Sequence, residues 1–245
     1  MNQRTSGKVA LITGAGKREG LGFEAARQLA ELGFRVLLTA RSGDSARARA
    51  EELRQAGYDV AGDELNVQQP ESMAALSARL KKESRVDVLI NNAARPPVNG
   101  ERATCADLVL ARESMETILF GTWRVTQCVL PFMLAAPQPR IVNVSSGAGS
   151  HLDHKFGLHA SATDPSYAIA KCALNALTAT FAQELRELRV LVNAVCPGFT
   201  ATFPGAEGMG ARPVKESAEG IVWAATLPDD GPTGGLFRDR VALPW

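Results

Sequence analysis

Residues Val9-Ala10-Leu11-Ile12 form an unbroken apolar run that empties directly into Thr13-Gly14-Ala15-Gly16-Lys17-Arg18-Glu19-Gly20-Leu21-Gly22. Nothing else in the chain constrains its fold as tightly. An apolar run without alternation is what a strand covered on both faces requires. After the glycines, Phe23, Ala26, Leu29, Ala30 and Leu32 recur at helical spacing until Gly33, and Phe34 to Thr39 reads as a second strand. Strand, glycine turn, helix and strand make one βαβ unit. The open backbone amides at the start of its helix suit a pyrophosphate, and a Cβ in the turn would hold that phosphate off the backbone.

The alternation continues to the end of the chain. Helices are predicted over Ser45–Ala56, Pro70–Glu83, the long region Cys105–Leu134, Pro165–Leu188 and Lys215–Leu227. Strands are predicted over Tyr58–Leu65, Val86–Ile90, Arg140–Ser145 and Val190–Val195. Strands alternating with helices of this length specify the α/β class, with a single doubly wound parallel sheet and helices on both faces. No repeat, low-complexity tract or linker divides the chain, so residues 1–245 are read as one domain. Ligands of such sheets sit at the carboxyl ends of the strands. Those ends are Thr13, Thr39, Asn91, Ser145 and Val195, where polar and glycine residues collect.

Composition narrows the setting. The formal net charge is +1 and 45% of residues are hydrophobic, which gives no reason to expect a nucleic acid or a membrane surface as partner. Cys105, Cys128, Cys172 and Cys196 are scattered without a C-x-x-C pair, as befits buried thiols in a reducing compartment. Met1 to Lys8 is polar and carries no signal-peptide pattern, and no segment approaches the roughly 20 apolar residues of a bilayer span. The expectation is a soluble, cytoplasmic protein.

Chemistry first surfaces in Ser166-Tyr167-Ala168-Ile169-Ala170-Lys171. Helical spacing places Tyr167 and Lys171 on one face. A phenol beside an ammonium is easier to ionise, so Tyr167 is expected to serve as an acid/base near neutral pH with Lys171 as its tuner. Taken alone, the pair is better explained as a surface Tyr and Lys on an amphipathic helix.

The rest of the chain changes that balance. Thr13-Gly14 with Gly20-Leu21-Gly22, Asn91-Asn92-Ala93, Ser145-Ser146, Tyr167-x-x-x-Lys171 and Pro197-Gly198 follow one another in the order of a known family. With these motifs the chain resembles the short-chain dehydrogenase/reductases, of Rossmann fold, along nearly all its length. Leu38 to Arg41 and the stretch Leu227 to Gly235 are most similar to the carbonyl-reductase-like subgroup. The resemblance implies NADPH-dependent reduction of a ketone, aldehyde or quinone carbonyl on a small organic substrate. By it, Tyr167 donates the proton, Ser146 holds the carbonyl oxygen, and Lys171 binds the nicotinamide ribose and depresses the tyrosine's pKa. A hydroxyl and a phenol converging on one oxygen would indeed stabilise charge developing there. Ser146 is chosen over Ser145 because side chains alternate at a strand end and the family's serine precedes x-x-Gly.

The same resemblance assigns cofactor contacts to Gly14, Gly16, Lys17, Arg18, Gly20, Leu21, Arg41, Asn66, Val67, Asn92, Ala93, Tyr167, Lys171, Pro197, Gly198, Thr200 and Thr202. NAD-preferring enzymes usually place an acid after the second strand, to bond the ribose 2′-hydroxyl. Here Ala40 and Arg41 stand there, with Lys17 and Arg18 in the glycine turn, so NADPH/NADP+ is the expected cofactor. Asn91 is expected to support the sheet core instead. A homodimer or homotetramer is implied, pairing the helical faces that carry Ile118, Trp123, Val129, Leu174, Leu177 and Phe181.

Several features depart from the family pattern. The glycine turn is two residues longer than T-G-x-x-x-G-x-G, an insertion expected before Gly16, and Ala94 replaces the glycine of N-N-A-G. Ile118 stands at the position of the family's catalytic Asn, whose bound water links the lysine to solvent. That substitution keeps two rivals open, a non-redox lyase or isomerase on the same scaffold and a nucleotide-binding regulatory protein. His151, His154 and His159 fall between Ser146 and Tyr167 without the Cys or Glu cluster of a metal site, so no metal is expected and this loop is read as a pocket wall. Phe199 to Pro213, rich in Gly and Pro, reads as a lid.

Overall fold

The computed structural model describes residues 7–97, 100–159 and 164–245. Its strands are β1 (Val9–Ile12), β2 (Arg35–Ala40), β3 (Val60–Glu64), β4 (Val88–Asn91), β5 (Arg140–Val144), β6 (Leu191–Val195), β7 (Leu236–Arg238) and β8 (Val241–Leu243). They form one sheet in the order β3-β2-β1-β4-β5-β6-β7-β8. The helices are α1 (Leu21–Glu31), α2 (Gly43–Gln55), α3 (Pro70–Leu80), α4 (Leu108–Met115), α5 (Thr122–Met133), α6 (Pro165–Glu184) and α7 (Val214–Ala225). No helix among the described residues is long and apolar enough to cross a membrane.

Alternation along β1 shows how the sheet is covered twice. Ala10 and Ile12 join a core with residues of α1, α2 and α7, including Leu29, Leu53 and Ile221. Val9 and Leu11 point the other way, into a core with Leu80 of α3, Val125 and Val129 of α5, and Leu174 of α6. Both faces of a parallel sheet are thus buried, which is why its strands read as continuous apolar runs.

The sequence reading misses the far edge of the sheet. There β7 extends it in parallel beside β6, and β8 returns antiparallel with Phe237 opposite Ala242. Asp239 and Arg240 make the hairpin turn, with φ of 54° and 66°. Two successive left-handed residues are the signature of a type I′ turn, here built without the Asn-Gly or Asp-Gly pair that would have announced it.

Helix boundaries shift in one informative place. The region read as one helix from Cys105 to Leu134 is α4 and α5 joined by a π-helical segment, Glu116–Gly121. A π segment carries an extra residue per turn and re-aims the side chains around it. The helix read from Pro165 to Leu188 ends at Glu184. At its start, Asp164 adopts φ 63° and does not cap. Glu101 caps instead, accepting from the Ser166 amide at 2.9 Å and its hydroxyl at 2.7 Å.

Two other expectations are refined. Of the residues proposed for an interface, Ile118, Val129, Leu174, Leu177 and Phe181 are core, while Trp123 is 40% exposed. The stretch Leu227 to Gly235 closes the bottom of the sheet. The buried Arg140 guanidinium donates to the Leu227 carbonyl at 2.9 Å and pairs with Asp229 at 2.8 Å.

Candidate active site

The glycine turn leaves β1 at Thr13, whose hydroxyl oxygen accepts from the amides of Asn92 and Ala93, both at 3.0 Å. The Asn92 side-chain amide donates back to the carbonyls of Thr13 and Gly14 at 2.9 Å. Gly14 holds φ 69°, and a Cβ there would lie 2.7 Å from the Ala93 Cα. Glycine is required by both conformation and space. Within the long turn, Gly20 donates to the Lys17 carbonyl at 3.1 Å, and Arg18 and Glu19 sit exposed at its corners. Ala15 is fully buried and its amide donates to the Thr39 carbonyl at 2.8 Å.

Above this turn lies a cleft of about 700 Å³ along the carboxyl ends of the strands. Among the residues named from sequence, Gly14, Gly16, Lys17, Gly20, Leu21, Arg41, Asn66, Val67, Asn92, Ala93 and Thr202 line it. Ser42, Ser45, Gln68, Arg95, Glu113 and Thr117 line it as well, and the sequence reading passed over them. Ser42 was detectable, because Ser42-Gly43 is an N-cap pattern: its hydroxyl accepts from the Ser45 amide at 3.3 Å. Thr117 owes its place to the π segment, and Gln68 donates to its hydroxyl at 2.9 Å. A cleft of this size, with Gly14, Gly16 and Gly20 along it and Lys17, Arg41 and Arg95 on its walls, has room for a dinucleotide.

Some expected contacts lie elsewhere. Arg18 turns away to pair with Glu52 at 3.0 Å. Thr200 is buried with its hydroxyl donating to Ser217 at 2.9 Å, and the Pro197 carbonyl is held by Arg212. Pro197 and Gly198 therefore shape the backbone behind the cleft. Residues 199–213 are zipped at their base, Ala201 donating to Arg212 and Arg212 to Phe199. Lys17 reaches across to the Thr202 carbonyl, tying this segment to the glycine turn.

The catalytic candidates meet beside β5. Ser146 follows the strand and opens a short 3-10 turn, Gly147–Gly149, by accepting from the Ala148 amide at 3.2 Å. Tyr167 and Lys171 come from the first turns of α6, and the Ser146 hydroxyl lies near enough to the Tyr167 phenol to favour its ionised form. Lys171 is buried, donates to the Val144 carbonyl at 2.6 Å, and sits 5.5 Å from the centre of the Tyr167 ring. Ser145 is tied up structurally, donating to Asn175 at 2.5 Å, and Asn91 donates to Asn143 at 2.9 Å.

The electrostatics correct a simple expectation. Burial pushes the Tyr167 phenol above its ordinary value, and the Ser146 hydrogen bond only partly opposes this. Burial also pulls the Lys171 ammonium down to about 7. Desolvation disfavours both charged forms, so it outweighs the help a nearby ammonium would give the phenolate. At neutral pH the phenol keeps its proton, as a proton donor must.

Ile118 is packed in the core on the α3, α5 and α6 side, with nothing to hold a water. His151 lies 4.0 Å from the Cys172 sulfur and its ring is 6.3 Å from that of His159. No group of three or more metal-ligating side chains occurs among the described residues. Residues 160–163 of this loop lie outside the description.

Known proteins resemble this chain in sequence and in fold. The family model described as short chain dehydrogenase matches residues 8–208. Carbonyl reductase (NADPH) 3 of Mus musculus is 32% identical, over 97% of this chain and 98% of its own length. The (-)-isopiperitenone reductase of Mentha piperita is 31% identical over 95% and 97%. Among solved structures, a variant actinorhodin polyketide ketoreductase with NADPH aligns with TM-score 0.82 and 28% identity, covering 98% of this chain and 97% of that one. A metagenomic short-chain oxidoreductase in complex with NADP aligns with TM-score 0.79 and 29% identity, covering 96% and 98%.

Proposed function

Because this chain belongs to the short-chain dehydrogenase family, and is therefore an oxidoreductase that takes a nicotinamide cofactor, we propose that it reduces a ketone, aldehyde or quinone carbonyl with NADPH. The observation that carries this reading is the meeting of three groups: a buried Lys171 that donates to the Val144 carbonyl and lies 5.5 Å from the centre of the Tyr167 ring, with Ser146 on the turn just beyond the same strand. When bound, the nicotinamide supplies hydride to the carbonyl carbon. The chain's own residues supply the rest. Tyr167 gives its proton to the carbonyl oxygen as negative charge develops there. The Ala148 amide occupies one lone pair of the Ser146 oxygen, leaving that hydroxyl free to donate to the same carbonyl oxygen. Lys171 lies close enough to stabilise the phenolate left behind.

NADPH is preferred over NADH on chemical grounds. Arg41 is exposed at the cleft wall and makes no ion pair among the described residues, and Ser42 opens the N-terminus of α2 beside it. A 2′-phosphate would complement both the cation and the helix N-terminus. We take residues 1–245 as one nucleotide-binding domain with 199–213 as its lid. Following NADPH absorbance with a panel of ketones, aldehydes and quinones tests the reading, and failure to oxidise NADPH with any of them would remove it. We further propose a homodimer or larger assembly through the exposed Phe120, Trp123 and Ile169. A monomeric mass at micromolar concentration would exclude this.

One observation favours a second reading. With Ile118 in the core, the water path from Lys171 found in the family has no side chain to hold it, and a lyase or isomerase would need Tyr167 only to shuttle protons. The substrate panel separates the two readings, because only reduction consumes NADPH.

A further inference from the structure

The turn that carries Ser146 is gripped from an unexpected direction. Arg238, the last residue of β7, donates to the Asp153 carboxylate at 2.6 Å, in a pair whose side chains are 19% and 3% exposed. Asp153 in turn accepts from the amides of Lys155 at 2.9 Å and Phe156 at 3.4 Å, so it organises the loop that follows Ser146. The Arg238 guanidinium covers the Phe156 ring at 5.3 Å. Cys196, just beyond β6, accepts from the Gly147 amide at 3.1 Å. Gly147 therefore lies between Cys196 and the Arg238–Asp153 pair. A methyl group on it would strike the Asp153 carboxylate and come 3.2 Å from the Arg238 guanidinium.

Burial would raise the Asp153 carboxyl, but Arg238 and the two loop amides outweigh it and hold the group below its ordinary value. The pair is thus ionised at neutral pH. Ser150 closes the same grip from below, donating to the Pro244 carbonyl at 2.6 Å. The residue that follows Ser146 is fixed by the C-terminal hairpin of β7 and β8, far away in sequence.

We propose that Arg238 is a positioning residue: by pairing with Asp153 against Gly147, it fixes the turn that carries the Ser146 hydroxyl. The inference rests on the reductase reading for the role of Ser146, while the clamp itself rests on geometry alone. Lysine at 238 would keep a charge for Asp153, but one ammonium lacks the planar guanidinium that covers the Phe156 ring while it meets the carboxylate. Misplacing a reacting group by about 1 Å costs on the order of 10²-fold.

The test uses Arg238→Lys and Arg238→Ala in the full chain. Arg238→Lys is expected to lower kcat about tenfold and Arg238→Ala about 10²-fold, with KM for NADPH unchanged. Added guanidinium ion at millimolar concentration is expected to recover part of the activity of Arg238→Ala and none in the wild type. In a Ser146→Ala background, Arg238→Lys should cost nothing further, because it acts through the missing hydroxyl. Additive losses in that double variant would overturn the proposal.

Hydrogen exchange gives a readout independent of substrate. Amides of residues 147–157 should exchange faster in Arg238→Lys while α1 and α2 keep wild-type protection. Unchanged exchange in 147–157 would overturn the clamp, even if Arg238→Ala fails to fold. A wild type that reduces no carbonyl but shows the exchange effect would remove the reductase reading and leave the clamp standing.

Discussion

On the nucleotide side of the sheet, the groups facing the cleft, apart from Glu113, Thr117 and Thr202, lie at or just beyond the carboxyl end of a strand. Gly14 to Leu21 follow β1, Arg41 and Ser42 follow β2, and Asn66 to Gln68 follow β3. On the other side, Ser146, Tyr167 and Lys171 meet only through distant parts of the chain. Glu101 caps the helix that bears Tyr167, Val144 receives the Lys171 ammonium, and Arg238 grips the turn after Ser146. The first side recognises by backbone and local turn; the second works by burial and long-range contact. Damage should therefore differ in kind. A substitution on the first side should change affinity, and one on the second should change the chemistry.

The sharpest separation is Tyr167→Phe. The ring and its packing persist while the phenol proton is lost. General acid catalysis contributes about 10²–10⁴-fold, so kcat should fall by that factor with NADPH affinity unchanged. If turnover stays near wild type, the division between the two sides fails along with the mechanism.

Arg41→Ala is the counterpart on the nucleotide side. A hydrogen bond to a charged group is worth about 1.5–3 kcal/mol, so NADPH affinity should drop about 10- to 100-fold with little change for NADH. Arg18→Ala makes the comparison finer. Arg18 pairs with Glu52 and faces away from the cleft, so its loss should leave both affinities nearly unchanged. Equal losses of NADPH and NADH in Arg41→Ala would mean that Arg41 does not read the phosphate.

This division also explains what the sequence could announce. Val9 to Gly22 carries strand, turn and helix start within one window, so fold and cleft floor were legible together. The exceptions on that side have physical reasons. Arg18 has the right neighbourhood in sequence for a phosphate cation, but its guanidinium pairs with Glu52 outside the cleft. Thr117 was invisible because a π segment, unlike a helix cap, has no short-range signature. On the catalytic side, Tyr167 and Lys171 were legible as a pair, yet burial, which spacing alone does not announce, raises the phenol and lowers the ammonium. Arg238 could not be found from sequence at all, since its hairpin turns on Asp239 and Arg240 with no glycine.

Ile118 sharpens the comparison from inside the core. The family's Asn at this position would here be a buried amide among Leu174, Val125 and Ala170. Without a partner, such a group costs about 1–3 kcal/mol, so Ile118→Asn should lower the unfolding free energy by that amount while changing turnover only modestly. Chemical denaturation and steady-state kinetics on the same variant check both halves. A reductase activity that appears only in Ile118→Asn would show that the native protein has another task.

The smallest effect expected is a pH dependence of stability. Burial pulls the Lys171 ammonium from 10.5 down to about 7 in the folded chain. Between those values the unfolded chain holds a proton that the folded chain has released, so the unfolding free energy rises with pH across that window. The penalty for burying the charge is full below about pH 7 and absent above pH 10.5. One ionisation contributes at most about 1.4 kcal/mol per pH unit. Between pH 7 and pH 8 the wild type should therefore gain on Lys171→Met by up to that amount, in the absence of cofactor. Parallel stability curves for the two proteins would mean that the ammonium is hydrated in the folded state. The catalytic side would then owe its character to motif alone, and the contrast with the nucleotide side would dissolve.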